Sequence, residues 1–145
     1  MNSYRFKDLQ IGKEESFSVT VTEEMMRMFS DLSGDINPLH QDEAFAVRQG
    51  YMDKVVYGLL TTSFLSRLAG VLLPGRYCLL QGVEVKFLRP VYVGSILHVS
   101  GTVDELHESV QRVGIKVAIS DQNGKKVLRG RIEAGFLNDD EETDG

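Results

Sequence analysis

Between Gly58 and Leu72 the chain reads Gly-Leu-Leu-Thr-Thr-Ser-Phe-Leu-Ser-Arg-Leu-Ala-Gly-Val-Leu, with Arg67 as its one charge. A helix through this run is apolar on most faces, so it predicts a helix surrounded by protein rather than one lying on a surface. At ~1.5 Å per residue the run spans roughly 22 Å. Pro74-Gly75 ends it. The rest of the chain must therefore supply something that wraps around a helix.

The second half is suited to that. Val83, Val85 and Phe87 alternate with Glu84 and Lys86 until Arg89-Pro90 closes the segment. Leu97, Val99, Gly101 and Val103 alternate with His98, Ser100 and Thr102, and Val113, Ile115, Val117 and Ile119 give the cleanest alternation. Asp121-Gln122-Asn123-Gly124 makes a hairpin turn into Lys125–Leu137. Before the long helix, Glu14–Val21 alternates as one strand, and Thr22 is a good N-cap with Glu23 and Glu24 behind it. Met25, Phe29 and Leu32 supply the predicted buried stripe of that helix, which Ser33-Gly34-Asp35 ends. The expected fold class is α+β, an antiparallel sheet wrapped around a long central helix. An unpaired sheet edge makes a homodimer the expected assembly.

With 42% hydrophobic residues in 145, the chain can bury one core without staples. It shows no internal repeat and no linker, so residues 1–137 read as a single domain and the acidic 138–145 as a solvated tail. A net charge of −5 and no basic stripe argue against nucleic acid. No apolar run reaches the ~20 residues that cross a bilayer, so no membrane role is expected. Met1–Asp8 lacks the basic-then-apolar layout of a secretory signal. A lone Cys78 forms no intrachain disulfide and fits a reducing cytoplasm. His40, His98 and His107 lack ligand spacing, so no metal and no cofactor are expected.

The chemistry concentrates in Ser33-Gly34-Asp35-Ile36-Asn37-Pro38-Leu39-His40. Pro38 keeps Asn37 out of a helix, so an acid and a histidine five apart sit on a bent segment. Asp35 is placed to orient His40, to share a water with it, or both. An imidazole, with an ordinary pKa of ~6.5, gives and takes protons near neutrality. The same residues also satisfy plain turn chemistry, with Asn37 fixing the bend through its side chain.

Together with Val56-Tyr57-Gly58-Leu59-Leu60-Thr61-Thr62-Ser63 and Phe87-Leu88-Arg89-Pro90-Val91-Tyr92-Val93-Gly94, this segment resembles the MaoC-type (R)-specific enoyl-CoA hydratases and dehydratases of the hot-dog fold. The likeness covers about Phe6 to Phe136 in the right order. It implies a dimer whose sheet wraps the Gly58–Leu72 helix, acting on acyl-CoA or acyl carrier protein thioesters. It implies that Asp35 and His40 act on one water and that the Gly58 backbone N–H holds the thioester oxygen. Asn37 then supports the loop and Ser63 lines the pocket. Many members carry His-Gly where this chain has Tyr57-Gly58, which points Tyr57 toward the acyl pocket or its entrance. Two other functions compete: a hot-dog acyl-thioesterase using the same pocket, and a non-catalytic acyl-thioester-binding subunit.

Overall fold

The computed structural model describes residues 1–139, so most of the expected solvated tail, 140–145, lies outside it. Five strands form one antiparallel sheet: β1 Glu14–Thr20, β2 Cys78–Phe87, β3 Ile96–His107, β4 Arg112–Ser120 and β5 Lys126–Phe136. Their order is β1-β3-β4-β5-β2, which leaves β1 and β2 as the edges. The sharp alternation of β4 places Val113, Ile115, Val117 and Ile119 on the inner face, all buried. Leu97, Val99, Val103, Leu128, Ile132 and Ala134 complete that face from β3 and β5. Asp121 makes the β4–β5 turn by accepting hydrogen bonds from the Asn123 and Lys125 N–H groups at 2.9 and 3.0 Å.

Four helices separate β1 from β2: α1 Glu23–Ser33, α2 Pro38–Gln41, α3 Glu43–Arg48 and α4 Gly58–Arg67. Thr22 caps α1 as expected, its side chain accepting from Met25 N–H. The long helix is α-helical only to Arg67, and Leu68–Leu72 continue as a π-type turn closed by Leu73 N–H to Leu68 C=O at 2.8 Å. Leu60, Leu65, Leu68 and Ala69 press α4 and its extension onto the sheet. Gly101 lets Leu68 seat there, since a Cβ on it would stand 2.9 Å from a Leu68 methyl.

Two sequence expectations need correction. The helix is not enclosed on all sides: Leu59 is 65% exposed and Ser63, Ser66 and Arg67 are exposed too. One sheet covers one face of a helix, and among the described residues no second layer covers the other. On α1, Leu32 is 86% exposed instead of buried, and Met26 takes its place in the core. Leu32 lies in the last turn, within an exposed stretch that runs from Asp31 through the left-handed Gly34 to Pro38.

Candidate active site

The segment between α1 and α3 is built by its own short polar side chains. Asp35 Oδ1 accepts from Asn37 N–H at 3.0 Å, and Asn37 Oδ1 accepts from Leu39 N–H at 2.9 Å, capping α2. Pro38 occupies the first helical turn, where its missing N–H costs nothing. The turn-forming and functional readings of this motif are thus compatible. One set of bonds bends the chain so that Asp35 stays exposed while His40, on α2, turns inward.

His40 is fixed from two sides. Its Nδ1 lies 2.6 Å from the Val55 carbonyl oxygen. A carbonyl only accepts, so Nδ1 carries the proton and neutral His40 keeps an unprotonated Nε2. The imidazole also stacks on the Tyr57 ring, with centroids 4.2 Å apart and planes at 30°. Tyr57 is 2% exposed and also packs against the Phe29 ring, with centroids 4.8 Å apart. Its hydroxyl donates to the Asp35 backbone carbonyl at 2.8 Å and accepts from Gln41 Nε2 at 3.3 Å. Tyr57 therefore joins the Asp35 loop, His40 and the start of α4 in one packed unit. The sequence pointed it toward the acyl pocket or its entrance; the structure buries it between His40 and Phe29 and bonds it to the Asp35 loop.

A cavity of about 290 Å³ opens beside this unit. His40, Gly58, Thr61, Phe87, Arg89 and Val91 are among the residues of its wall. Gly58 is the first residue of α4, and Tyr57 makes no side-chain cap bond there. The first-turn N–H groups have no intrahelical acceptor, and the helix dipole favours negative charge at that end. A Cβ on Gly58 would stand 3.1 Å from two Phe87 ring carbons, so the bare glycine keeps open the space between helix and strand. Arg89 is held at the wall by its bond to the Lys126 carbonyl at 2.8 Å.

Of the predicted site residues, His40 and Gly58 share this cavity. Asp35, Asn37 and Tyr57 are not in its wall; Tyr57 ties the Asp35 backbone to the His40 ring from behind. Ser63 stands apart. It is exposed, and its hydroxyl donates to the Leu60 carbonyl at 2.5 Å. Thr61 was not foreseen. It is 2% exposed, and no hydrogen-bond partner reaches its Oγ1 among the described residues. A buried hydroxyl left without a partner costs about 1–3 kcal/mol. Its signal in the sequence was a polar residue three after Gly58 on the buried face of an apolar helix. No cluster of three or more His, Cys, Asp or Glu suited to a metal occurs among the described residues.

An antiparallel sheet packed on one helix, with a His-bearing cavity at that helix's N-terminal end, is the arrangement of a hot-dog protein. Residues 8–124 match the MaoC like domain, and the chain belongs to that family. It is 31% identical to the (R)-specific enoyl-CoA hydratase of Aeromonas caviae, over 86% of this chain and 92% of that protein. It is 29% identical to the enzyme of the same name from Rhodospirillum rubrum, over 86% of each chain. The solved structure of the A. caviae (R)-hydratase superposes with a TM-score of 0.86 at 29% identity, covering 90% of this chain and 99% of that one. The R-hydratase PhaJ1 from Pseudomonas aeruginosa gives 0.85 at 27% identity, with 93% and 86% covered.

Proposed function

We propose that the protein reversibly hydrates trans-2-enoyl thioesters to (R)-3-hydroxyacyl thioesters. The observation that carries this reading is that His40, with its Nδ1 proton committed to Val55, lines the same cavity as the helix-opening Gly58. Water is held between the Asp35 carboxylate and His40. One of the pair takes a proton as the water oxygen bonds to C3, and the C2=C3 electrons move toward the carbonyl. The Gly58 N–H donates a hydrogen bond to the thioester oxygen as negative charge grows there. A proton returned to C2 restores the carbonyl and balances the addition. The family relationship supports these roles for Asp35, His40 and Gly58, and Asn37 holds the bend that presents the first two.

We place the acyl group on CoA or on acyl carrier protein, and the protein in the cytoplasm as a homodimer. Val83 and Phe87 on edge strand β2 are 41% and 54% exposed, and Leu59 on α4 is 65% exposed. A second copy covering these surfaces gives particles of twice 16.2 kDa in light scattering. Loss of the conjugated enoyl absorbance, followed with short and medium chains on both carriers, tests the reaction. Asp35→Asn and His40→Gln each lower turnover by orders of magnitude and leave the melting temperature in place. Release of free thiol without loss of conjugation overturns the reading in favour of hydrolysis.

A further inference from the structure

Three consecutive residues of α4 carry hydroxyls, and they are treated differently. Thr62 Oγ1 donates to the Gly58 carbonyl at 2.9 Å and Ser63 Oγ to the Leu60 carbonyl at 2.5 Å, so both satisfy themselves on the preceding turn. Thr61 does not, although the Tyr57 carbonyl four residues back already receives its N–H at 3.1 Å. Among the described residues its Oγ1 has no partner, and Thr61 is the one of the three that lines the cavity with His40 and Gly58. Side chains on a helix lean toward its N-terminus, and residues three apart share a face, so Thr61 overlies the turn that Gly58 opens. A valine there would fill the same volume with no hydroxyl to leave unpaired.

We propose that Thr61 is a substrate-contacting residue whose hydroxyl donates a hydrogen bond to the carbonyl oxygen of the bound acyl thioester, alongside the Gly58 N–H. The inference rests on the hydratase reading and adds a second donor to it. The hydroxyl hydrogen turns about the Cβ–Oγ1 bond at little cost, and a bound carbonyl supplies the acceptor that the described residues do not. As electrons move from C2=C3 onto that oxygen, the bond strengthens, so its effect falls on the transition state more than on binding.

The test compares Thr61→Val and Thr61→Ser with the wild-type enzyme on one enoyl-CoA substrate. Loss of an oxyanion donor typically costs about 10²–10³ in rate, and a donor sharing the oxygen with Gly58 costs less, about tenfold to a hundredfold. Thr61→Val is expected to lose that factor mainly in kcat, with its melting temperature unchanged or raised. Thr61→Ser, which keeps the donor, stays within a few-fold of wild type. A conjugated dienoyl thioester gives a second readout, because polarising its carbonyl moves its absorption to longer wavelength. That shift is smaller on Thr61→Val than on wild type. Full turnover and an undiminished shift in Thr61→Val overturn the proposal while leaving the hydratase intact. A wild-type protein that hydrates no enoyl thioester removes the reading beneath it instead.

Discussion

Replacing Tyr57 by Phe removes one oxygen from the core of the site and leaves the packing alone. The ring that stacks on His40 at 4.2 Å and meets Phe29 at 4.8 Å remains. The donation to the Asp35 carbonyl at 2.8 Å is lost. Residues 34–37 are otherwise held by bonds among near neighbours: Gly34 to Ser30, Asp35 to Ser33 and Asn37 to Asp35. Such bonds shape the loop but travel with it. Among the described hydrogen bonds of these four residues, only Tyr57 reaches across the fold. Asp35 is exposed and turns to water once released, so the net loss is that of one ordinary hydrogen bond, about 0.5–1.5 kcal/mol. If the tethered loop is the productive one, the competent fraction falls by the same free energy. With tenfold per 1.36 kcal/mol, kcat then drops about two- to tenfold. KM stays near wild type, because Tyr57 is not in the cavity wall. The melting temperature falls by a few degrees, about 4 °C per kcal/mol for a chain of this size. Steady-state kinetics on one enoyl-CoA and a thermal melt suffice. A variant that melts earlier with kcat untouched refutes the tether, since the bond would then stabilise the fold without placing Asp35.

Gly58→Ala sets a methyl 3.1 Å from the Phe87 ring, where the proposed mechanism brings the thioester to the amide. The ring is 54% exposed and can move, so thermal stability changes little while kcat/KM falls at least about tenfold, measured on the same substrate. Cys78 gives the pH prediction. Burial pushes its thiol above the usual 9.0, because the thiolate is the form that loses solvation. The folded state thus holds this proton longer than the unfolded one. Its contribution to stability is complete below about pH 9 and is lost as pH rises through the raised value. Chemical denaturation of wild type and Cys78→Ala from pH 7 upward shows the wild type losing ground faster above pH 9. Parallel curves would remove the assignment.

Much of the fold was legible because its signals are local. Alternation in Val113–Ile119 fixed the inner face of β4, Thr22 announced α1, and Asp121–Gly124 made its turn. Those patterns give the phase of an element but not the number of layers packed on it. The apolar run from Gly58 to Leu72 predicted enclosure on all sides, and a single five-stranded sheet covers only one of them. Leu32 failed for a related reason: a helical stripe is buried only as far as something lies against it. Leu59, Val83 and Phe87 follow the right periodicities, yet all three stay largely open to solvent.

The site divides along the same line. Asp35, Asn37 and His40 lie within six residues, and the bonds that bend their segment are made mostly inside it, so their grouping was visible in the sequence. Tyr57 is 22 residues from Asp35 and 17 from His40, and its task appears only once β-sheet and helices have brought the three together. A histidine at that position has a smaller ring and no phenolic oxygen at the same reach. Tyrosine meets the Asp35 carbonyl and the His40 face at once, from a place 2% exposed to solvent. It can do so without entering the cavity that His40 and Gly58 share. The departure from the common His-Gly pair thus sets a single side chain against both the Asp35 loop and the His40 ring.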